Sequence, residues 1–233
     1  PLLAASSRSA GSIQPLLVAT APIALAGIGR TYQVPQPFGQ LTAYENILAA
    51  AIFSGRSERN EAATARDILA RTGLASRADV PAGSLPLLDR KRLELARALV
   101  GWPAVMLFDE PTTGLDPINA RAVRDLIIRA RDLHQMSALY VSKAMNEIPY
   151  VMQHYATQGE NGEVRILPVD DAHQPKTRIL VLDEGRLSFM GNYSEFEASV
   201  LPTITQLLHP LPSAVNPDFH PYDPWGKSPQ RHL

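Results

Sequence analysis

Apolar residues recur along this chain with two periods. Helical spacing places Ala65, Ile68 and Leu69 on one side of Glu61–Thr72, with Gly73 as the stop. The same spacing places Leu93, Ala96 and Leu99 together in Ser84–Val100, and Val123, Leu126 and Ile127 together in Ile118–Gln135. Thr42-Ala-Tyr-Glu45 is a capping box that opens a helix running to about Phe53, and Pro35 and Pro37 keep the segment before it extended. Short helices are predicted over Met145–Met152, after Gly191, and over Pro202–Leu208. Pro149 is tolerable only in the first turn of the Met145–Met152 helix. Strands are predicted over Ala104–Phe108 and Ser137–Val141, and a hairpin over Arg178–Leu182 and Arg186–Met190 across Asp183-Glu-Gly185. The polar stretch Gln153–Lys176 holds a turn at Gly159-Glu-Asn-Gly162 and a strand over Val164–Val169, an inserted hairpin or loop. At the start, Pro1-Leu-Leu-Ala-Ala reads as the tail of a helix and Gly11-Ser-Ile-Gln as the approach to a strand.

Ala104–Phe108 is too short for a helix and is bounded by Pro103 and Pro111. It reads as a fully buried, parallel strand in an α/β fold. Two acids, Asp109 and Glu110, follow where that strand ends. Ligands of open α/β sheets bind off the carboxyl ends of strands. Successive side chains point opposite ways, so one acid can hold a magnesium ion through water and the other can face an attacking water. A strand followed by an acidic turn is the plain alternative.

The residues around those acids narrow the choice. Pro111-Thr-Thr-Gly-Leu-Asp116-Pro117 follows at once, and Pro86-Leu-Leu-Asp-Arg-Lys-Arg-Leu-Glu-Leu-Ala-Arg-Ala-Leu99 lies upstream. Together they resemble the ATP-binding subunits of ABC transporters. By that resemblance Val105–Glu110 is the Walker B strand, with Asp109 on the magnesium side and Glu110 as catalytic base. Gly114-Leu-Asp116 is the D-loop, and Pro86, Leu87, Leu88 and Asp89 stand at the signature, which meets the partner subunit's nucleotide. Gly27–Asn46 resembles the Q-loop region, particularly that of branched-chain amino-acid importers, with Gln33 touching magnesium and the attacking water. The strand–turn–strand–glycine–helix ending fits the same family. The C-terminal helix and tail resemble ATPases of envelope lipid trafficking. The likeness covers roughly Gly27–Leu208. It implies a P-loop NTPase-like nucleotide-binding domain with a parallel-sheet core and a helical lobe, and ATP and Mg2+ as cofactors. It also implies integral-membrane permease subunits and a second ATP-binding subunit as partners, at the cytoplasmic face of the inner membrane.

Three departures stand against that pattern. The sequence contains no G-x-x-x-x-G-K-[ST], whose backbone donors and lysine hold the β- and γ-phosphates, so the chain is expected to begin just after that loop. Proline and two leucines occupy signature positions where the family presents hydroxyl and backbone donors, and the usual glycine is missing at Leu88. Lys143 stands at the histidine position that senses the γ-phosphate, and an ammonium cannot reproduce imidazole's donor–acceptor pair. The alternative function is therefore a catalytically degenerate, non-hydrolysing partner subunit.

Composition adds limits. A net charge of −1 leaves no electrostatic footprint for nucleic acid, and with no second motor domain it argues against a helicase with a DE box. The absence of cysteine fits a reducing compartment. No apolar run approaches a membrane span, and His154 and His173 lack the company of metal ligands. Arg90-Lys-Arg92 reads as a solvated helix face. Residues 209–233 are proline-rich with Phe219, Tyr222 and Trp225 interleaved. They form either a disordered end or an arm that pairs subunits. The expected divisions are an ATPase-core remnant (1–40), the helical lobe with the signature (41–99), the core with Walker B, D-loop and hairpin (100–191), and a C-terminal helix and tail (192–233).

Overall fold

The computed structural model describes residues 24–54, 60–173 and 177–208. The readings made for the chain's start and for the 209–233 tail fall outside these residues. The chain divides into two compact units, 1–174 and 175–233.

The first unit is built on a parallel sheet of order β1-β2-β3, namely Ile28–Thr31, Val105–Asp109 and Ser137–Val141. The register pairs Thr31 with Phe108 and Asp109 with Val141. Parallel neighbours need long crossovers. Residues 32–104 supply the first, carrying α1 (Ala43–Phe53), α2 (Glu61–Arg71) and α3 (Leu87–Leu99). The second crossover is α4 (Pro117–Leu133), which Asp116 caps by accepting from the N–H groups of Ile118 and Asn119. One apolar cluster joins both. Met106 and Phe108 of β2 meet Leu93, Ala96 and Leu99 of α3 and Val123 and Ile127 of α4, and the cluster runs on into Ile47 and Ile68. The expectation of a fully buried β2 is corrected here. Met106 and Phe108 are buried, while Val105, Leu107 and Asp109 are half-buried. Period-2 alternation puts the latter three on the sheet face opposite the cluster.

Gly29 shows how closely α3 lies on the sheet. A Cβ there would stand 3.2 Å from the Ala98 carbonyl and would collide with Met106 Sδ. Beyond β3, a 3-10 turn leads to α5 (Ile148–Met152), with Pro149 in its first turn. The polar stretch forms the expected hairpin, β4 (His154–Gln158) against β5 (Val164–Pro168). The C-terminal end of α4 fastens it. Arg131 donates to the carbonyls of Val151 and His154, and Asp132 accepts from the Ala156 N–H at 2.7 Å.

A buried polar knot fixes α4 to the sheet's carboxyl edge. Glu147 is 6% exposed. It accepts from Thr112 Oγ1 at 2.6 Å and Tyr140 OH at 2.8 Å, and pairs with Arg124 at 3.1 Å. Burial, and then the Glu147 charge, push the Tyr140 phenol far above its ordinary pKa, so it stays a donor.

The second unit pairs β6 (Ile179–Asp183) with β7 (Arg186–Gly191). Its two-residue turn, Glu184-Gly185, has φ of 46° and 74°, the left-handed pair that a tight hairpin demands. The short helices α6 (Tyr193–Glu197) and α7 (Pro202–Leu208) follow, the first with an Asn192–Glu195 capping box. Among the described residues, no helix is long and apolar enough to cross a membrane.

Two stability predictions follow from these contacts. Thr42 caps α1 by accepting from the Glu45 N–H at 3.1 Å, so Thr42→Ala should cost about 1 kcal/mol, read as a lower urea midpoint at unchanged m. Hydrogen bonds from Thr42 hold the Glu45 carboxyl below its ordinary pKa. Its contribution is therefore full above the ordinary glutamate pKa and is lost as pH falls through the lowered folded value. Glu147→Ala would strand the Arg124 charge, whose side chain is 13% exposed. It should cost about 3–5 kcal/mol in the same assay, several times the loss from Tyr140→Phe.

Candidate functional site

Three parallel strands of matched register deliver their following loops to one edge. Tyr32 and Gln33 follow β1, Glu110 follows β2, and Ser142 and Lys143 follow β3. The carboxyl edge of the sheet thus collects Gln33, Asp109, Glu110 and Lys143, as expected for an open α/β site.

The two acids diverge. Asp109 lies 3.4 Å from Arg30 on the neighbouring strand. With side chains 52% and 38% exposed, that pair contributes roughly 0–1 kcal/mol and leaves the carboxylate open to a stronger partner. Glu110 turns the other way and accepts from Thr113 Oγ1 at 3.0 Å. Its backbone is left-handed, with φ 44°. Glu184 shares that conformation because a hairpin turn requires it; Glu110 lies in no hairpin and is held by its neighbours. Its N–H donates to the Val141 carbonyl at 2.9 Å, and its carbonyl accepts from the Thr113 N–H at 3.2 Å.

Lys91 makes a contact that sequence reasoning missed. Arg90-Lys-Arg92 is not a solvated face. Lys91 is 6% exposed, and its ammonium donates to the carbonyls of Gln33 at 2.6 Å and Glu110 at 3.2 Å. Burial pulls its pKa below the ordinary value, opposed by the charges of Glu110, Glu94 and Asp109. Arg92 folds back on Asp89 at 3.1 Å. Two turns on, Arg97 donates to the Gln36 carbonyl at 2.9 Å and to Glu94, whose carboxyl burial pushes above the usual range. The spacing of Lys91, Glu94 and Arg97 on one helical side was the available signal. It was obscured by reading three consecutive bases as one patch.

Buried Asn46 on α1 completes the loop's fastening, accepting from the Phe38 N–H and donating to the carbonyls of Phe38, Leu41 and Thr42. The Gln33 side chain itself is exposed. Pro86 is the N-cap of α3 and supplies no side-chain cap. Leu87 and Leu88 are half-buried, and Asp89 is buried between Arg92 and Arg77. Gly114 has φ 82°, and a Cβ there would meet Leu87 Cδ2 at 3.2 Å, so the turn before α4 rests against the start of α3. Asp116 is exposed and committed to capping α4. Lys143 is exposed. The edge therefore brings together Gln33, Asp109, Glu110 and Lys143. Pro86, Leu87, Leu88 and Asp89 lie at the opening of a helix whose next turn touches the same loops.

Comparison with known proteins agrees with this geometry. The family profile described as ABC transporter matches residues 2–113, ending just past Asp109 and Glu110. The chain is 36% identical over 102 residues to the fluoroquinolones export ATP-binding protein of Mycobacterium tuberculosis, covering 43% of this chain and 32% of that protein. It is 32% identical over 119 residues to the lipoprotein-releasing system ATP-binding protein of Treponema denticola, covering 51% and 53%. It is 32% identical over 138 residues to the high-affinity branched-chain amino acid transport ATP-binding protein of Escherichia coli, covering 53% and 54%. The matched stretch thus spans from about a third to just over half the length of these curated relatives. A solved ATP-binding cassette of an ABC transporter, MJ1267, shares the fold with a TM-score of 0.58 at 21% identity, over 81% of this chain and 70% of that one. Motif order, sheet-edge geometry and these matches agree: the chain resembles the ATP-binding subunits of ABC transporters over the stretch that they match.

Proposed function

We propose that this chain works as the ATP-binding and ATP-hydrolysing subunit of an ABC transporter, powering transport from the cytoplasmic face of the membrane. The observation that carries the reading is the pair Asp109 and Glu110 at the carboxyl end of the central strand, pointing apart beside Gln33. Asp109 and the Gln33 amide are hard oxygen donors of the kind magnesium takes. A bound magnesium ion would neutralise charge on the β- and γ-phosphate oxygens. Glu110 would accept the proton of the attacking water, Gln33 would orient that water, and Lys143 would offer the γ-phosphate a point charge. Pro86, Leu87, Leu88 and Asp89 would face the nucleotide of a second ATP-binding subunit, with Asp116 beside them. Permease subunits would dock on the helical lobe, and the 209–233 arm would support subunit pairing. The relatives are named for fluoroquinolones export, lipoprotein release and branched-chain amino acid transport, so similarity supports transport and favours no single cargo. Amino acid or lipid is the cargo class proposed.

A second reading has an observation of its own. The start of α3 packs within its own chain: Leu88 lies against the apolar core and Leu87 against Gly114. A proline and two leucines so engaged suit a subunit that keeps the fold and docking and lets a partner hydrolyse. One substitution separates the two readings. In the assembled transporter from the source cells, Glu110→Gln should lower ATP turnover about 100-fold or more if this acid is the general base. Unchanged turnover in an intact complex would give the chain the non-hydrolysing role.

A further inference from the structure

A lysine that is 6% exposed needs a reason. Desolvating an ammonium is costly unless its hydrogen bonds are replaced. The contacts of Lys91 are not with a carboxylate side chain, the ordinary partner of a buried base. They are with two main-chain carbonyls from segments far apart in sequence, Gln33 at 2.6 Å and Glu110 at 3.2 Å. Both residues follow strands of the parallel sheet at its carboxyl edge. A cation placed between them ties one loop to the other.

The Glu110 end of this tie is also the strained end. A left-handed backbone is disfavoured for a side-chain-bearing residue. A hydrogen bond from a charged donor is stronger than one between neutral groups. The lysine contact is therefore a principal support of that backbone. The remaining supports are ordinary amide bonds, from Glu110 to Val141 and from Thr113 to Glu110. The conformation matters because it aims the Glu110 carboxylate away from Asp109 and toward Thr113.

We propose that Lys91 is a positioning residue: it locks the main chain of Glu110 to that of Gln33 and thereby sets the direction of the acid. Lys91 lies one turn into α3, just beyond Pro86, Leu87 and Leu88. A shift at the opening of α3 is thus carried by Lys91 into the two loops of the same chain. The effect on turnover rests on the ATPase reading above; the tie between the loops does not.

Amide hydrogen exchange of the whole protein, followed by mass spectrometry, tests the tie. In Lys91→Met, exchange over residues 110–113 and 33–41 should accelerate at least about 10-fold. The capped helix Ala43–Phe53 should keep its wild-type rate, and Lys91→Arg should restore most of the protection. If Lys91→Met does not fold, Lys91→Gln, with a shorter neutral donor, is measured in its place against the same expectation. Unchanged exchange at 110–113, uniform acceleration across the chain, or no rescue by arginine would each overturn the proposal. In the assembled transporter, Lys91→Met should lower kcat for ATP with KM little changed. A wild-type transporter whose ATP turnover owes nothing to this chain would sink the ATPase reading and leave the exchange result to decide Lys91. Normal turnover with unaltered exchange would do the reverse.

Discussion

A parallel strand cannot be reached by a tight turn, and the first unit of this protein is organised by that constraint. β2 pairs in parallel with both neighbours, so the chain must leave the carboxyl edge, cross a face of the sheet and return, twice. The first return is long enough to hold three helices, and the second is α4 alone. Each departure leaves a loop at the same edge and at the same level, because Thr31 is opposite Phe108 and Asp109 is opposite Val141. Gln33, Glu110 and Lys143 are neighbours for that reason. The site is the place where parallel pairing brings the ends of separate chain segments together.

Hydrophobic burial holds the helices to the sheet, but charge and hydrogen bonding fix the edge. Two buried ionic groups do this from opposite flanks. On the α3 side, Lys91 grips the backbones after β1 and β2. On the α4 side, Glu147 gathers the hydroxyls of Thr112 and Tyr140 and the Arg124 guanidinium. Apolar side chains could have filled either space. They could not have fixed a carbonyl or a hydroxyl in direction, and that is what an edge carrying two divergent carboxylates requires.

Most elements were legible because local chemistry and tertiary packing agree; the strand Ile28–Thr31 was not among those read. The capping box at Thr42–Glu45, the stop at Gly73, the proline-bounded strand before Asp109 and the Glu184-Gly185 turn each have a local cause that the fold keeps. What sequence missed is non-local. The three bases Arg90-Lys-Arg92 by themselves do not say that the middle one turns inward; the spacing to Glu94 and Arg97 hints at it, and the partners lie 58 residues upstream at the Gln33 carbonyl and 19 residues downstream at Glu110. Glu147 is hidden in the same way, its partner Thr112 lying 35 residues earlier. The half-burial of β2 was misread because a short apolar run cannot reveal that, among the described residues, α3 and α4 pack on the face of Met106 and Phe108. The departures at Pro86, Leu87, Leu88 and Lys143 were plain in the sequence. The packing of Leu87 on Gly114 then showed how a leucine is accommodated there.

The most direct measurement is thermal unfolding of the protein isolated from its own cells, with ATP, with Mg2+, and with both. A group that binds only the folded state raises Tm by mass action. If Asp109 holds magnesium beside a bound triphosphate, ATP and Mg2+ together should raise Tm by more than the sum of their separate effects, and Asp109→Asn should remove that excess. An identical Tm in all conditions, or an excess that survives in Asp109→Asn, would contradict the assignment of this sheet edge as a magnesium–nucleotide site.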